Sequence, residues 1–207
     1  MQTDRNMRLI SIQDLFSEYG IRNISMDDIA RNLHIAKKTI YKQYANKDEL
    51  VNDIYLNDFY QFKTSLHSLE RENIDVISKT IQLYNIVLHK ILSQSKYAHS
   101  DLVKYYPDLL KEITDLHREA INKTLIEILL AGKANNYFNN NINHHSVAHL
   151  FKLLIESYVL DRVSKSEGEY IISYDDVFDY HFRSICNPFG LRRWEELKKQ
   201  SLFSEQP

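Results

Sequence analysis

The sequence contains little cysteine, glycine or proline. Its 207 residues include one cysteine, Cys186, four glycines and three prolines. One cysteine excludes an internal disulfide framework, and few glycines and prolines leave few sites for the tight turns of hairpin-rich folds. The sequence also has no long uncharged apolar run and no charged-then-apolar leader, so it predicts neither a membrane span nor secretion. We therefore expect a helical protein of the cytoplasm.

Charge is nearly balanced over the whole chain, with a net value of −2, but it is unevenly distributed. Residues 1–47 contain eight of the 26 basic residues and five of the 28 acidic ones, a local net charge of +3. From Lys37 to Lys47 there are four lysines and no acidic residue. A basic patch of this kind attracts phosphate.

Apolar spacing predicts a first helix near the beginning of the chain. Ile12, Leu15, Phe16 and Tyr19 repeat at helical intervals. The pattern stops at Gly20, a residue suited to a left-handed C-terminal cap. Helix 1 is therefore expected to end at this glycine.

Two shorter helices are predicted to follow. Ser25, with Asp28 three positions later, is a variant of the capping box and begins a second helix that ends near Leu33. After a turn of a few residues, a third helix places Ile40 and Tyr44 on one face. A long helix followed by two short helices and a tight turn is typical of a helix-turn-helix unit.

The rest of the chain is predicted to be a larger helical body. Asn46 and Glu49 form a second capping-box pattern, which opens a longer helix, so we divide the chain into a head, 1–46, and a body, 47–207. Further helical patterns begin near Ile77, Leu109, Val147 and Tyr174. Irregular segments are expected at 97–107, 135–143, 164–173 and 187–190. The predicted fold class is all-α.

Lysines at two helix starts are the most informative feature of the head. Lys37 and Lys38 open the third helix and Lys47 opens the fourth, although a helix N-terminus prefers anions. DNA phosphates would relieve this conflict. Tyr41 is expected to contact phosphate or sugar, and Thr39 and Gln43 to reach towards base edges. An ordinary solvated charged face is the alternative interpretation.

Residues 20–50, which read GIRNISMDDIARNLHIAKKTIYKQYANKDEL, closely resemble the head of the tetracycline-repressor (TetR) family. The resemblance implies that Ser25 contacts phosphate, that Lys47 grips the DNA backbone, and that Ile40 and Tyr44 are core. It also implies that the following residues face DNA: Lys37, Lys38, Thr39, Tyr41, Lys42 and Gln43. Two positions depart from the family pattern, His34, where glycine is common, and Ala36, where serine or threonine is common.

The resemblance also implies a homodimer that binds a double-stranded DNA operator through two heads. The segments 147–162 and 174–185 would pair with their twins as a four-helix bundle. The expected interface residues are Phe151, Leu154, Tyr158, Phe178 and Phe182. Aromatic stripes of this kind also fit the core of a single chain, and that alternative stays open.

A small-molecule effector is the other partner that the resemblance implies. The family usually keeps an effector cavity among the middle helices, where four tyrosines lie: Tyr84, Tyr97, Tyr105 and Tyr106. An apolar pocket edged by hydroxyl groups would suit an amphipathic small molecule. No cofactor is expected.

Other functions have weaker support in the sequence. No glycine-rich phosphate loop, nucleophile elbow or metalloprotease motif indicates an enzyme. His144, His145 and His149 lack a cysteine or a clear carboxylate partner for a metal, so no metal site is predicted. The function expected is a dimeric transcriptional regulator, usually a repressor in this family. The alternatives are a helical ligand-binding protein whose head does not read DNA and, with less support, a helical enzyme or scaffold.

Overall fold

Helices dominate the part of the chain that the structure describes. The computed structural model of the protein describes residues 2–164 and 173–199. The helices are α1 (Gln2–Tyr19), α2 (Met26–Asn32), α3 (Lys37–Tyr41), α4 (Lys47–Arg71), α5 (Val76–Leu92), α6 (Lys96–Tyr105), α7 (Pro107–Ala134), α8 (His144–Ser164), α9 (Tyr174–Ile185) and α10 (Pro188–Lys199). Within these residues no strand forms, and an isolated bridge joins Phe138 to Cys186. The predicted all-α fold class is confirmed.

The sequence missed two of these helices. The prediction of an irregular segment at 97–107 is wrong, because α6 occupies most of it. Ser95 caps α6 by accepting a hydrogen bond from the backbone N–H of Ala98, and Ala98 and Leu102 are buried on its inner face. The irregular segment at 135–143 is confirmed, whereas most of 164–173 lies outside the described residues. The prediction of an irregular segment at 187–190 is wrong for 188–190, because the second missed helix, α10, begins at Pro188 and only Asn187 separates it from Cys186, the C-cap of α9.

The chain forms two compact units. The first consists of residues 1–64 and 92–117, and the second of residues 65–91 and 118–207. The head predicted for residues 1–46 lies within the first unit, which extends beyond it. The first unit also contains α6 and the beginning of α7.

Hydrogen bonds explain why α6 belongs to the same unit as the head. The Ser95 hydroxyl donates to the carbonyl of Ser17 at 2.6 Å, near the end of α1. Asp101 accepts a hydrogen bond from the backbone N–H of Arg22 at 2.8 Å. These contacts join residues that are 78 and 79 positions apart, so local sequence patterns do not reveal them.

Each unit has its own apolar core. In the first unit the core includes Leu9, Ile12, Phe16, Ile29, Ile40, Leu50 and Ile54. In the second unit it includes Ile77, Tyr84, Leu125, Leu129, Phe138, Phe151, Phe178, Phe182 and Trp194. Packing of apolar faces of this size stabilises short helices such as α2 and α3, which are too short to persist alone.

Candidate nucleic-acid interface

The helices α2 and α3 form a helix-turn-helix, joined by the turn at residues 33–36. Ile29 on α2 and Ile40 on α3 are buried, so both helices are fixed against the core of the head. His34 adopts a left-handed backbone conformation with φ +53°, as suits a position where glycine is common in the family. Ala36 begins α3 without a side-chain cap. The turn therefore forms despite both departures from the family pattern.

The predicted capping box at the start of α2 is confirmed. The hydroxyl oxygen of Ser25 accepts a hydrogen bond from the Asp28 backbone N–H at 3.2 Å, and the Asp28 carboxylate accepts one from the Ser25 N–H at 2.8 Å. The Ser25 hydroxyl also donates to that carboxylate at 2.5 Å. Hydrogen bonds from Ser25, with one from Arg31, lower the pKa of Asp28 to about 2. For Ser25 to donate a hydrogen bond to phosphate, its hydroxyl would have to release the Asp28 carboxylate.

The outer face of α3 and the residues just after it are basic and exposed. Five of the residues predicted to face DNA are exposed, namely Lys37, Lys38, Tyr41, Lys42 and Gln43. Thr39 is half-buried. The side chains of this face therefore remain accessible to a ligand, while Ile40 on the inner face is 3% exposed.

Lys37 has an acidic partner that the sequence did not predict. Its ammonium nitrogen lies 2.6 Å from a carboxylate oxygen of Asp27 on α2 and 5.7 Å from the ring centroid of Tyr41. The hydrogen bond with Asp27 raises the pKa of Lys37. Asp27 lies outside the basic segment 37–47 in the sequence, but the helix-turn-helix places it next to Lys37.

Lys47 is held inside the head rather than extended from it. Its ammonium group donates hydrogen bonds to the backbone carbonyls of Ile21 and Ile24, in the connection between α1 and α2. Burial is the main cause of its lowered pKa, and the nearby charge of Arg22 adds to the effect. Lys47 therefore stabilises the α1–α2 connection, a role that the resemblance did not imply.

Tyr44 is half-buried and belongs to a polar network, although a core position was predicted. Its hydroxyl donates a hydrogen bond to Asp53 on α4. Asp53 also accepts two hydrogen bonds from the Arg5 guanidinium, at 2.5 and 2.6 Å. Burial and the hydrogen bond with Asp53 raise the pKa of Tyr44 to about 12. The network connects the end of the helix-turn-helix with α1 and α4.

Comparisons with known proteins agree with this geometry. Residues 13–54, which span the helix-turn-helix, match the family described as bacterial regulatory proteins, tetR family. A helix-turn-helix-type transcriptional regulator of Staphylococcus aureus strain MRSA252 is 26% identical over 175 residues, which are 74% of this chain and 90% of the relative. The head of the chain is therefore similar to that of the tetR family of bacterial regulatory proteins, and most of the chain is similar to a helix-turn-helix-type transcriptional regulator.

Solved structures show the same fold as this chain. The reduced form of NemR from E. coli has a TM-score of 0.69 at 13% identity, over 89% of this chain and 98% of NemR. The fatty acid degradation regulator FadR from Bacillus halodurans has a TM-score of 0.59 at 19% identity, over 84% of this chain and 90% of FadR. A second relative, from Staphylococcus aureus strain USA300, is also described as a helix-turn-helix-type transcriptional regulator and is 24% identical over 171 residues, which are 74% of this chain and 90% of the relative.

The four tyrosines predicted to line an effector pocket are in different surroundings. In the first unit, Tyr97 is 68% exposed and Tyr105 is 42% exposed, so neither is enclosed. The Tyr106 hydroxyl donates a hydrogen bond to Asp48 at 3.0 Å. Tyr97 and Tyr105 therefore lie on the exposed side of α6, and their place at the edge of an effector pocket stays a prediction.

Tyr84 belongs to the second unit and is fully buried. Its ring centroid lies 4.9 Å from that of Phe151 and 4.1 Å from that of Phe178. Its hydroxyl oxygen is 2.6 Å from Nδ1 of His181. Burial raises the pKa of Tyr84 and lowers that of His181 to about 4, so the pair is uncharged near neutral pH. The sequence did not predict His181 as a partner.

Three aromatic residues predicted at a dimer interface are core residues of one chain. Phe151, Phe178 and Phe182 are at most 2% exposed. Phe182 also stacks on Trp194, with ring centroids 4.2 Å apart. Side chains this deeply buried offer no surface to a second chain, so the interface prediction is wrong for them. Leu154 and Tyr158 are half-buried on α8.

None of the helices in the described residues is long and apolar enough to cross a membrane. The rings of His144 and His145 lie 4.3 Å apart, but within 2–164 and 173–199 no group of three or more potential ligands is suited to a metal ion.

Proposed function

We propose that this chain is a dimeric transcriptional repressor of the TetR family that binds operator DNA through α3 and is released by a small-molecule effector. The observation that carries the proposal is the exposed basic face of α3, with Lys37, Lys38 and Lys42 around Tyr41. An α-helix fits the major groove of DNA, and lysine ammonium groups release counterions from phosphates.

The proposal assigns different contacts to different side chains. Lys38 and Lys42 are exposed and would contact phosphate oxygens, and Tyr41 has a hydroxyl that can donate to phosphate. Thr39 and Gln43 carry short polar groups suited to base edges. Ser25 and Lys47 already form hydrogen bonds within the chain, Ser25 with Asp28 and Lys47 with two backbone carbonyls. To contact DNA, each would share or exchange these hydrogen bonds.

Selection from a random DNA pool, followed by salt titration, tests DNA binding. We expect the chain to recover a preferred sequence. Lys38→Ala should weaken binding to every duplex and flatten the slope of log affinity against log salt by about one, because one phosphate contact is lost. The matched control is Lys123→Ala, which removes an exposed lysine of the second unit. Recovery of no DNA would favour a ligand-binding protein whose head does not read DNA.

Exposed apolar residues in the second unit support a dimer. On α8, Leu150 is 47% exposed and Leu153 is 46% exposed, while Phe151 between them is buried. On α9, Tyr180 is 73% exposed. α8 and α9 thus expose apolar side chains as well as contributing to the core. We propose that these residues, with Leu154 and Tyr158, pair with their twins about a two-fold axis.

The effector is proposed to act on the second unit. Tyr84 and His181 supply polar atoms among the aromatic rings of its core, which suits a small molecule with an apolar body and a polar group. Such a ligand lowers DNA affinity only if it binds more tightly to a state in which the heads do not fit the operator. Fractions of a metabolite extract should release the recovered duplex. If no fraction changes DNA affinity, the effector part of the proposal is wrong.

A further inference from the structure

An acidic side chain lies within the proposed DNA-contacting face. Asp27, in the first turn of α2, places a carboxylate oxygen 2.6 Å from the ammonium nitrogen of Lys37. Both side chains remain accessible, with exposed fractions of 57% for Asp27 and 55% for Lys37. Lys37 is also close to the ring of Tyr41, which is proposed to contact DNA. A DNA strand that reaches Lys37 therefore also approaches a negative charge.

Asp27 is not required to cap its own helix. Asp28 accepts the hydrogen bonds of the Ser25 backbone N–H and hydroxyl, and it also pairs with Arg31. Asp27 forms an ion pair with Lys37, and its negative charge is favourable near the N-terminus of α2. The carboxylate of Asp27 is thus directed towards the recognition helix, whereas that of Asp28 is used within α2.

Charge determines the effect of Asp27 on DNA. The ammonium group of Lys37 cannot bind a phosphate with full strength while it stays paired with a carboxylate. Salt screens charges over about 8 Å at physiological ionic strength, so a carboxylate 2.6 Å from Lys37 also repels a phosphate bound there. Both effects weaken contact with the DNA backbone, which is common to all sequences.

We propose that Asp27 is a specificity-determining residue of this chain, which holds Lys37 and repels phosphate and so weakens binding to non-cognate DNA more than binding to the operator. A non-cognate complex is held almost entirely by lysine–phosphate contacts and depends on Lys37, whereas an operator complex is also held in a fixed register by base-edge contacts and depends on Lys37 less. Specificity is a difference between affinities, so this unequal loss increases it. This inference rests on the proposed DNA-binding function.

The test is Asp27→Asn, a change that keeps the size of the side chain and removes its charge. The probes are a labelled duplex of random sequence and the duplex recovered from the pool. Affinity for the random duplex should rise about three- to eightfold at about 0.1 M salt, and its salt slope should become steeper by up to about one. Affinity for the recovered duplex should rise less, so the ratio of the affinity for the recovered duplex to the affinity for the random duplex should fall.

Two further variants make the result specific to the ion pair. Glu119→Gln removes one negative charge from an exposed position on α7 in the second unit, and it should leave both affinities unchanged. In a Lys37→Met background, Asp27→Asn should raise affinity for the random duplex by less than half as much on a logarithmic scale. Circular dichroism establishes that each variant keeps its helices.

The outcomes separate this inference from the function on which it rests. Wild-type chain that binds neither duplex would overturn the proposed function and the inference together. Wild-type chain that binds, with an Asp27→Asn variant that binds the random duplex no more tightly, would overturn the inference alone. So would a larger gain for the recovered duplex than for the random one.

Discussion

At the residue scale, the strained turn at His34 gives a prediction about stability. A left-handed conformation, here φ +53°, costs a residue with a Cβ about 1–2 kcal/mol. His34→Gly should raise the free energy of unfolding by about 0.5–1 kcal/mol, because the greater freedom of unfolded glycine offsets part of the relief. Urea denaturation measures this change. His34→Ala keeps a Cβ and should give no gain, so equal effects of the two substitutions would contradict the strain argument.

Individual side chains also show which hydrogen bonds could be predicted from the sequence. The bond between Ser25 and Asp28 was predictable, because the partners are three residues apart on one helix. The bonds of Lys47 were not, because its carbonyl partners are 26 and 23 residues away. A lysine at a helix start is compatible with phosphate or with a carbonyl of its own chain. Only the path of the α1–α2 connection distinguishes these two partners.

At the element scale, Asp179 joins the last two helices of the second unit. Its carboxylate on α9 accepts hydrogen bonds from Arg183 at 2.6 Å, Lys198 at 2.9 Å and the Trp194 indole at 3.0 Å. Burial raises the pKa of Asp179, but these three donors outweigh burial and lower it to about 2. Trp194 and Lys198 belong to α10, so the carboxylate holds α10 against α9.

This pKa shift predicts a dependence of stability on pH. A carboxyl group whose pKa is lowered in the folded state stabilises the protein at pH values above the pKa of the unfolded state, which is near 3.8 for Asp179. This stabilisation is lost as pH falls towards 2. The loss should be about 1–2 kcal/mol, because solvent screens part of the interaction, and Asp179→Asn should remove this part of the pH dependence. The fluorescence of Trp194, the single tryptophan, can follow urea unfolding between these pH values.

The control for this prediction is another acid on α9. Asp176→Asn changes an exposed aspartate near the beginning of the helix and should leave the pH dependence intact. If Asp179→Asn and the wild type lost stability equally between pH 4 and pH 2, the carboxylate would not be the group responsible.

Apolar patterns predicted the buried faces of most helices but not their partners. The stripe of Phe151, Phe178 and Phe182 was correctly recognised as a face to be buried, yet it packs within one chain. α6 was missed because only Ala98 and Leu102 are buried on it, a weak pattern among exposed residues such as Tyr97 and Val103. Its position depends on contacts with α1 that are distant in sequence.

At the scale of the whole molecule, the exposed leucines of α8 predict the oligomeric state. Leu153→Glu places a charge on the proposed interface and should convert the dimer to a monomer, because burying an unpaired charge is costly. Sedimentation at micromolar concentration measures this change. Leu92→Glu substitutes a leucine of similar exposure, 50%, outside α8 and α9 and should leave the dimer intact. A wild-type chain that sediments as a monomer would contradict the paired-head proposal.

The all-α class, the three helices of the head and the resemblance of the head to the TetR family follow from the sequence alone, because helical periodicity, caps and the motif at 20–50 are local. The tertiary structure decided which groups meet across the chain. It paired Lys37 with Asp27, Lys47 with two backbone carbonyls and Tyr84 with His181. It also included α6 in the same compact unit as the head. These contacts depend on how the helices pack. An apolar stripe requires that a helix be packed against another element, but it does not specify which element that is.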